Sequence, residues 1–425
     1  MLLLAAALAC VLAAAHAAPD GGCTSSADCH LNGDCTAGKC VCDSAWSASP
    51  DCAVMSFAEV EKEAGKAPGY YNATEASWGG FPIKNSDGKW NLIHAQMANH
   101  CPLGSWTSNS IVARSVSTSG KPEGPYEFAE ELLPPFAHNP TIRKAEDGTY
   151  VIFFIGGWTT NASHCSSTAE GDAAVAAART GGGPPSPPCK DGSNWPKSCG
   201  PHMPGDDGQT DCCGSAAHGN NAGCGIATAT SKSLSGPWEV KALNIVDQWL
   251  SDDVYCTHTN PTIQILKNGT WIMAFNAGYC NKHLETIGTA VSHGGYKGPW
   301  HLLSRNSVLK NPDGTPHKCE DPHIWSTKRG WHLLTHNQEG PQRGSSYGYS
   351  LDGHSWTLSP TTPYDCGLNY TDGTTGEASG CGNRPQIFWS EDGETPLFII
   401  NGAMTAKPGG GKGTWTLFRP LTQPK

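Results

Sequence analysis

Five segments of this chain share one local frame, and a repeat of that kind limits the fold before any single residue is weighed. They are Gly80-Phe81-Pro82-Ile83, His138-Asn139-Pro140-Thr141-Ile142, Thr259-Asn260-Pro261-Thr262-Ile263, Glu320-Asp321-Pro322-His323-Ile324 and Asn383-Arg384-Pro385-Gln386-Ile387. Four are followed by a turn and an apolar run, as in Asp87-Gly88-Lys89-Trp90, Asp147-Gly148-Thr149-Tyr150, Asn268-Gly269-Thr270-Trp271 and Arg329-Gly330-Trp331; the fifth uses Glu391-Asp392-Gly393. Each unit then supplies two more short runs, the last marked by Gly124-Pro125-Tyr126, Gly236-Pro237-Trp238, Gly298-Pro299-Trp300, Ser355-Trp356 or Thr414-Trp415. Four short strands per unit, repeated around an axis, predict an all-β, five-bladed β-propeller over residues 54–425. The 51 glycines, 31 prolines and 15 tryptophans agree, since Gly and Pro punctuate tight turns and Trp suits half-buried pleated surface.

The repeat prolines stand at 82, 140, 261, 322 and 385, one unit of about sixty residues apart except for a doubled second interval. An insertion at about 159–222 accounts for it, with Gly181-Gly182-Gly183-Pro184-Pro185, Cys189, Cys199, Cys212 and Cys213 and almost no apolar periodicity. It reads as a cross-linked loop. A degenerate sixth blade around Pro201 would fit the period, but Pro201 to Gly208 lacks the alternating apolar residues of a strand.

Residues 1–17 read as a cleavable signal peptide: Leu2 to Ala15 is apolar but too short to span a bilayer, and Ala15-His16-Ala17 is a small-x-small cleavage site. No second apolar stretch follows, so no transmembrane segment is expected and the chain reads as secreted and extracellular. Of 19 cysteines, Cys10 leaves with the signal, and an even remainder in an oxidising compartment predicts that most are paired. Sequons at Asn72, Asn161, Asn268 and Asn369 mark candidate glycosylation sites on the same route. A net charge of -10 with 16% charged residues excludes a basic nucleic-acid surface, and no polybasic membrane patch is present.

Before the repeats, residues 18–53 carry Cys23, Cys29, Cys35, Cys40, Cys42 and Cys52 around a Leu31-Asn32-Gly33-Asp34 turn. The segment is too small to bury a core and must be stapled, though six cysteines alone allow fifteen pairings. The spacing resembles an EGF-like domain. That resemblance implies the bridges Cys23 to Cys35, Cys29 to Cys40 and Cys42 to Cys52. The acidic cluster of calcium-binding members is replaced by Pro19-Asp20-Gly21-Gly22, so no calcium is expected there. A spacer or adhesive appendage is the expected role.

In a propeller blade the start of the innermost strand and the end of the second lie on one face. That face should gather His94, His138, Asn139, Thr257, His258, Asn260, Asn276, Glu320, Asp321, His323, His336, Asn337, Glu339, Asn383, Arg384 and Asn401, together with all twelve later cysteines. Bridges between its loops would fix a binding rim. Such polar groups can hydrogen-bond sugar hydroxyls while Trp78, Trp158 and Tyr279 stack on a pyranose ring. His138, Asn139, His258, Asn260, His323, His336, Asn383 and Arg384 are the candidate glycan contacts. No cofactor motif is present and no metal ligand is assigned, because the histidine spacing matches no sequential ligand motif; their clustering leaves room for a structural metal ion on the axis.

The Pro-x-Ile and Gly-Pro-Trp repeats resemble the family 43 glycoside hydrolases and their five-bladed relatives, the arabinanases and β-xylosidases, over nearly all of Met55 to Lys425. The resemblance implies a Glu general acid in a Glu-x-Pro motif, matched by Glu320-Asp321-Pro322, and two aspartates before other repeat prolines. His138-Asn139-Pro140 and Thr259-Asn260-Pro261 carry Asn instead, and Gly80-Phe81-Pro82 carries no acid. Glycoside hydrolysis needs a base or nucleophile opposite the acid, and an amide cannot take up the proton. Asp321, Asp252, Asp253 and Glu339 are the candidate stand-ins, with Asp321 paired to Glu320 as the catalytic assignment.

Three readings stay open: a glycan-binding protein on a glycosidase scaffold, an active glycoside hydrolase with rearranged carboxylates, and an adhesive protein using the N-terminal module. A sialidase reading rests on Ser350-Leu351-Asp352-Gly353-His354-Ser355-Trp356, one residue short of the Asp-box and present once.

Overall fold

The computed structural model describes residues 22–61, 69–72, 74–156, 225–243, 245–246, 257–279, 284–304, 307–339, 344–404 and 413–424. Their strands form five antiparallel sheets of blade type. The first runs through Ser77–Lys84, Trp90–Met97, Ser110–Ser117 and Tyr126–Leu133, and the second through Ala137–Lys144, Tyr150–Gly156, Gly225–Ser231 and Glu239–Ala242. The third runs through Thr257–Ile265, Trp271–Tyr279, Leu284–Ser292 and Trp300–Leu302, edged by a short parallel strand, Ile245–Val246. The fourth is built from Cys319–Thr327, Gly330–Asn337, Ser345–Ser350 and Thr357–Leu358. The fifth takes Ser379–Trp389, Pro396–Met404 and Thr414–Pro420, and borrows its outermost strand, Gly69–Tyr70, from ahead of the first blade. The chain is all-β, a five-bladed propeller closed by that shared sheet.

The sequence explains this stacking. Second strands such as Tyr150–Gly156 are apolar throughout and buried on both sides, because a blade packs against each of their faces, whereas the outer strand Tyr126–Leu133 is largely exposed. The core accordingly lies between blades: Phe153 of the second meets Trp271 and Trp300 of the third, each pair 6.0 Å between ring centroids. Burying one such ring contributes roughly 2–3 kcal/mol. The repeated Asx-Gly turns are local devices. Asp87, Asp147, Asn268 and Asp392 each accept a backbone N–H two residues on, while Gly88, Gly148, Gly269 and Gly393 take φ of +72° to +84°, a region open to glycine at no steric cost.

Every innermost strand breaks register near its start, between Trp78 and Phe81, His138 and Thr141, Thr259 and Thr262, Glu320 and His323, and Asn383 and Gln386. Within each break the matching residue is left-handed, Gly79, Asn139, Asn260, Asp321 or Arg384, with φ between +47° and +57°; in the first blade Gly80 follows at +122°. This corrects the frame of the first unit. The counterpart of Pro140, Pro261, Pro322 and Pro385 is Gly80, not Pro82, and the position before it belongs to Gly79.

The insertion leaves the second blade where Gly156 pairs with Gly225, so it joins the second and third strands of that blade; the segment around Pro201 lies outside the described residues. At the N-terminus, Cys23–Cys35, Cys29–Cys40 and Cys42–Cys52 are bonded around the hairpin Gly33–Thr36 and Lys39–Cys42. This segment is no free appendage. Trp46 packs on Tyr347, the Tyr347 hydroxyl donates to the His30 carbonyl at 2.8 Å, and Arg329 binds both Asp34 and Asp43 at 2.7–3.1 Å, all on the fourth blade. Cys366–Cys381 is bonded, Cys101 is disulfide-bonded, and Cys319 is a free buried thiol, an exception to the pairing expected from the even count. Asn268 and Asn369 are exposed and Asn72 half-buried; Asn161 lies outside the described residues. No helix among the described residues is long and apolar enough to cross a membrane.

Candidate functional site

The five register breaks set the site. In an unbroken strand, adjacent side chains point to opposite faces. A left-handed residue reverses that rule locally and turns the side chains of Asn139, Asn260, Asp321 and Arg384 into one connected group, with Gly79 as the gap in the ring. Asn139 Nδ2 donates to Asn260 Oδ1 at 2.7 Å, Arg384 Nη2 to the Asn139 carbonyl at 2.9 Å, and the Arg384 backbone N–H to Asp321 Oδ2 at 3.1 Å. Asn276, from the end of a second strand, accepts the Asp321 N–H at 2.7 Å.

Above this ring stands Glu320. Its cross-strand partner is His336, whose Nδ1 lies 2.9 Å from Glu320 Oε1; the Gln338 amide donates to the same oxygen. Glu285, at the start of the third strand of the neighbouring blade, hydrogen-bonds Glu320 through its carboxyl and is exposed at the rim. Two acids in contact cannot both ionise easily. Burial pushes Glu320 up, but the hydrogen bonds from His336, Glu285 and Gln338 and the charge of His336 bring it below the usual range. Glu285 goes the other way, raised first by desolvation and then by the charge of Glu320, while its exposure to solvent tempers the rise. Asp321 is raised by burial and by Glu320, against the pull of Arg384.

Other expected residues have different occupations. His138 bonds Ser110 at 2.7 Å and stacks on Trp106, His258 meets the edge of Phe275, and His323 bonds Thr262 at 3.3 Å; all are at most 5% exposed, so they form a floor rather than contact surface. His94 is buried against Tyr70 and bonded to Ser115. Asn383 keeps partial exposure and donates to the Gly380 carbonyl. Trp78 is no stacking platform: its ring lies over Gly402, where a Cβ would come within 2.5 Å of it. Glu339 is no stand-in base, because its carboxylate is taken by the Lys318 N–H, Asn311 and His317 at 2.9–3.2 Å. Trp158, Asp252, Asp253 and the side chain of Tyr279 lie outside the described residues. The residues missed by sequence reasoning are Glu285 and Gln338. The opening of a third strand shares the site face with the end of a second, and that rule would have found Glu285.

Chemically the mouth offers two neighbouring carboxyl groups shifted in opposite directions, an amide pair, a buried guanidinium and a half-buried imidazole–carboxylate contact. Among the described residues, Glu320, Asp321 and His336 also form a group in which ligand atoms lie within 4.8 Å of one another.

No protein-family model matches the sequence, and no curated protein matches it. Solved structures are similar at low identity. A thermostable family-43 glycoside hydrolase is 13% identical with a TM-score of 0.47, covering 87% of this chain and 98% of its own. An endo-arabinase from Bacteroides thetaiotaomicron is 10% identical with a TM-score of 0.45, covering 84% and 98%. A family 117 glycoside hydrolase from the marine bacterium Zobellia galactanivorans is 12% identical with a TM-score of 0.48, covering 86% and 89%. The chain is thus similar to five-bladed glycoside hydrolase propellers, and its own five sheets carry the assignment of the fold.

Proposed function

We propose that the chain is a secreted carbohydrate-active protein, an EGF-like module at 18–53 docked on a propeller at 54–425, which takes up an extracellular glycan at the axial mouth. The observation that carries this reading is the convergence of Glu285, Glu320, His336 and Gln338 above a ring of Asn139, Asn260, Asp321 and Arg384. Donors and acceptors held by neighbouring blades match the scattered hydroxyls of a sugar, and such rigid placement lowers the cost of binding.

Binding rather than rapid turnover fits the amides best. Asn139 and Asn260 are engaged with each other and cannot serve as a base. A second reading, hydrolysis, is favoured by one observation: Glu285 is pushed up and Glu320 down, the opposite directions that a donor and an acceptor need.

An oligosaccharide array read with the wild-type chain, followed by aryl arabinosides, xylosides and galactosides, tests both. Glycan capture that falls at least about tenfold in Glu320→Gln supports the site. Turnover lost in both Glu320→Gln and Glu285→Gln would support hydrolysis. Turnover untouched by either substitution rejects the carboxyl pair as its source, and failure to retain any saccharide rejects the glycan reading.

A further inference from the structure

The segment that leaves the N-terminal module reaches the axial mouth through one residue, Tyr364. Met55 donates its backbone N–H to the Pro363 carbonyl at 2.8 Å, and Phe57 bridges Leu421, just past the third strand of the fifth blade. The Arg419 guanidinium lies 4.2 Å from the centre of the Phe57 ring and 4.8 Å from that of Tyr364, and the two rings meet edge to face at 6.3 Å. Arg419 is buried, and its Nε and Nη2 have no hydrogen-bond acceptor, so contact with these two rings supports its charge. Tyr364 is buried as well, and each of its polar ends meets a strand of the site. Its carbonyl accepts the Ser345 hydroxyl at 3.2 Å, and Ser345 is the cross-strand partner of His336. Its hydroxyl accepts the Asn401 amide at 3.2 Å, and the same amide donates to the Asn383 carbonyl at 3.3 Å. That carbonyl shares a peptide plane with the Arg384 N–H, which donates to Asp321 Oδ2 at 3.1 Å. The planar unit is thus pinned at both ends. Its orientation sets the left-handed Arg384, with φ of +47°, a conformation that a long side chain keeps only where the surroundings enforce it.

We propose that Tyr364 is a positioning residue of the axial mouth, through which residues 55–60 of the N-terminal segment hold Arg384 and His336 in place. Its hydroxyl steadies Arg384 by way of Asn401 and Asn383, and its main chain steadies the strand opposite His336. The Cys366–Cys381 bridge joins the two ends of this route, two residues beyond Tyr364 and two before Asn383. Arg329 and the hairpin of the module are not on it. Tyr364 acts through other residues, so its loss leaves a looser site rather than a missing contact. Only the consequence for a bound sugar rests on the glycan reading; the coupling of the segment to Arg384 does not.

Amide exchange of the full wild-type chain in graded urea tests the coupling first. The Met55 and Arg384 amides are expected to open in one step with the same urea dependence, a readout that needs no variant; different dependences overturn the proposal. Tyr364→Phe removes the hydroxyl but keeps the ring on Arg419 and the carbonyl to Ser345. Exchange at Arg384 should quicken at least about fivefold, with Tyr150–Gly156 of the second blade unchanged. Phe57→Leu, which takes one ring from Arg419, should quicken Arg384 in the same way. No effect at Arg384 in either variant overturns the proposal. So does equal quickening in the second blade, because a merely structural tyrosine would loosen the whole chain. Glycan capture by Tyr364→Phe should weaken by a similar factor through faster dissociation, with the order of preference among saccharides kept. Unchanged capture beside a loosened Arg384 rejects the link to the site. If the wild type retains no saccharide, the glycan reading falls and the exchange measurements still decide the coupling.

Discussion

Asp321 and Arg384 are 4% and 2% exposed, and each relies on the other for neutralisation. Removing one partner of a buried ion pair leaves the other charge stranded. Asp321→Asn is therefore expected to destabilise the chain by about 3–5 kcal/mol, and Asp321→Asn combined with Arg384→Met by clearly less than the single substitution. Urea midpoints of the three variants check this, and a double variant as unstable as the sum of its parts would remove the pair from the account. At this scale the sequence was partly readable. Glu320 announced itself through Glu-x-Pro, and Asn139, Asn260, Asp321 and Arg384 through their place before a proline. Glu285 has no counterpart in the other units, so a search for repetition passes over it. The histidines were legible as neighbours of the axis but not as floor, because burial depends on blades far apart in sequence.

Among the elements, the first blade shows how a local pattern misleads. Phe81-Pro82-Ile83 imitates the Pro-x-Ile of the other units, but what the fold conserves from blade to blade is a left-handed residue inside the register break of the innermost strand. Glycine adopts that conformation without any side-chain signature, so Gly79 left no mark in the sequence. The docking of the N-terminal segment was hidden for a related reason: Asp34, Asp43 and Arg329 are unremarkable surface residues until a structure brings them together. Arg329 is 11% exposed while Asp34 and Asp43 are 55% and 47% exposed, which limits the worth of the contact to about 1–2 kcal/mol. Arg329→Met should lower stability by that amount and speed amide exchange in Gly33–Thr36 and Lys39–Cys42, with the axial mouth unaffected. Equal exchange in that hairpin for wild type and variant would mean that the ring stacking on Tyr347 holds the segment alone.

Across the whole molecule, burial has filled the interior with neutral imidazoles. Desolvation lowers His94 and His258 to about 4; it lowers His138 and His332 to about 3, assisted by the nearby charges of Arg384 and Arg329 respectively. The unfolded chain protonates these groups near their ordinary value of 6.5, so below that pH it binds protons that the native state refuses. Their contribution is fully present above pH 6.5 and is lost as pH falls toward 4 and 3, at up to about 1.4 kcal/mol per unit for each histidine. Melting temperature should drop steadily from pH 7 to pH 5, and His94→Gln should flatten the slope; a melting temperature constant over that interval contradicts the linkage.

Closure by a borrowed strand also fixes an order of events during synthesis. Gly69 and Tyr70 leave the ribosome long before their partners Leu417 and Thr416. Until then the nascent chain is an open crescent whose free ends leave Tyr70, Leu92 and Tyr126 without Ile400 and Phe418, the other half of their shared cluster. Translation of the closing strand Thr414–Pro420, rather than the ripening of any one blade, sets the earliest moment at which the axial mouth can exist.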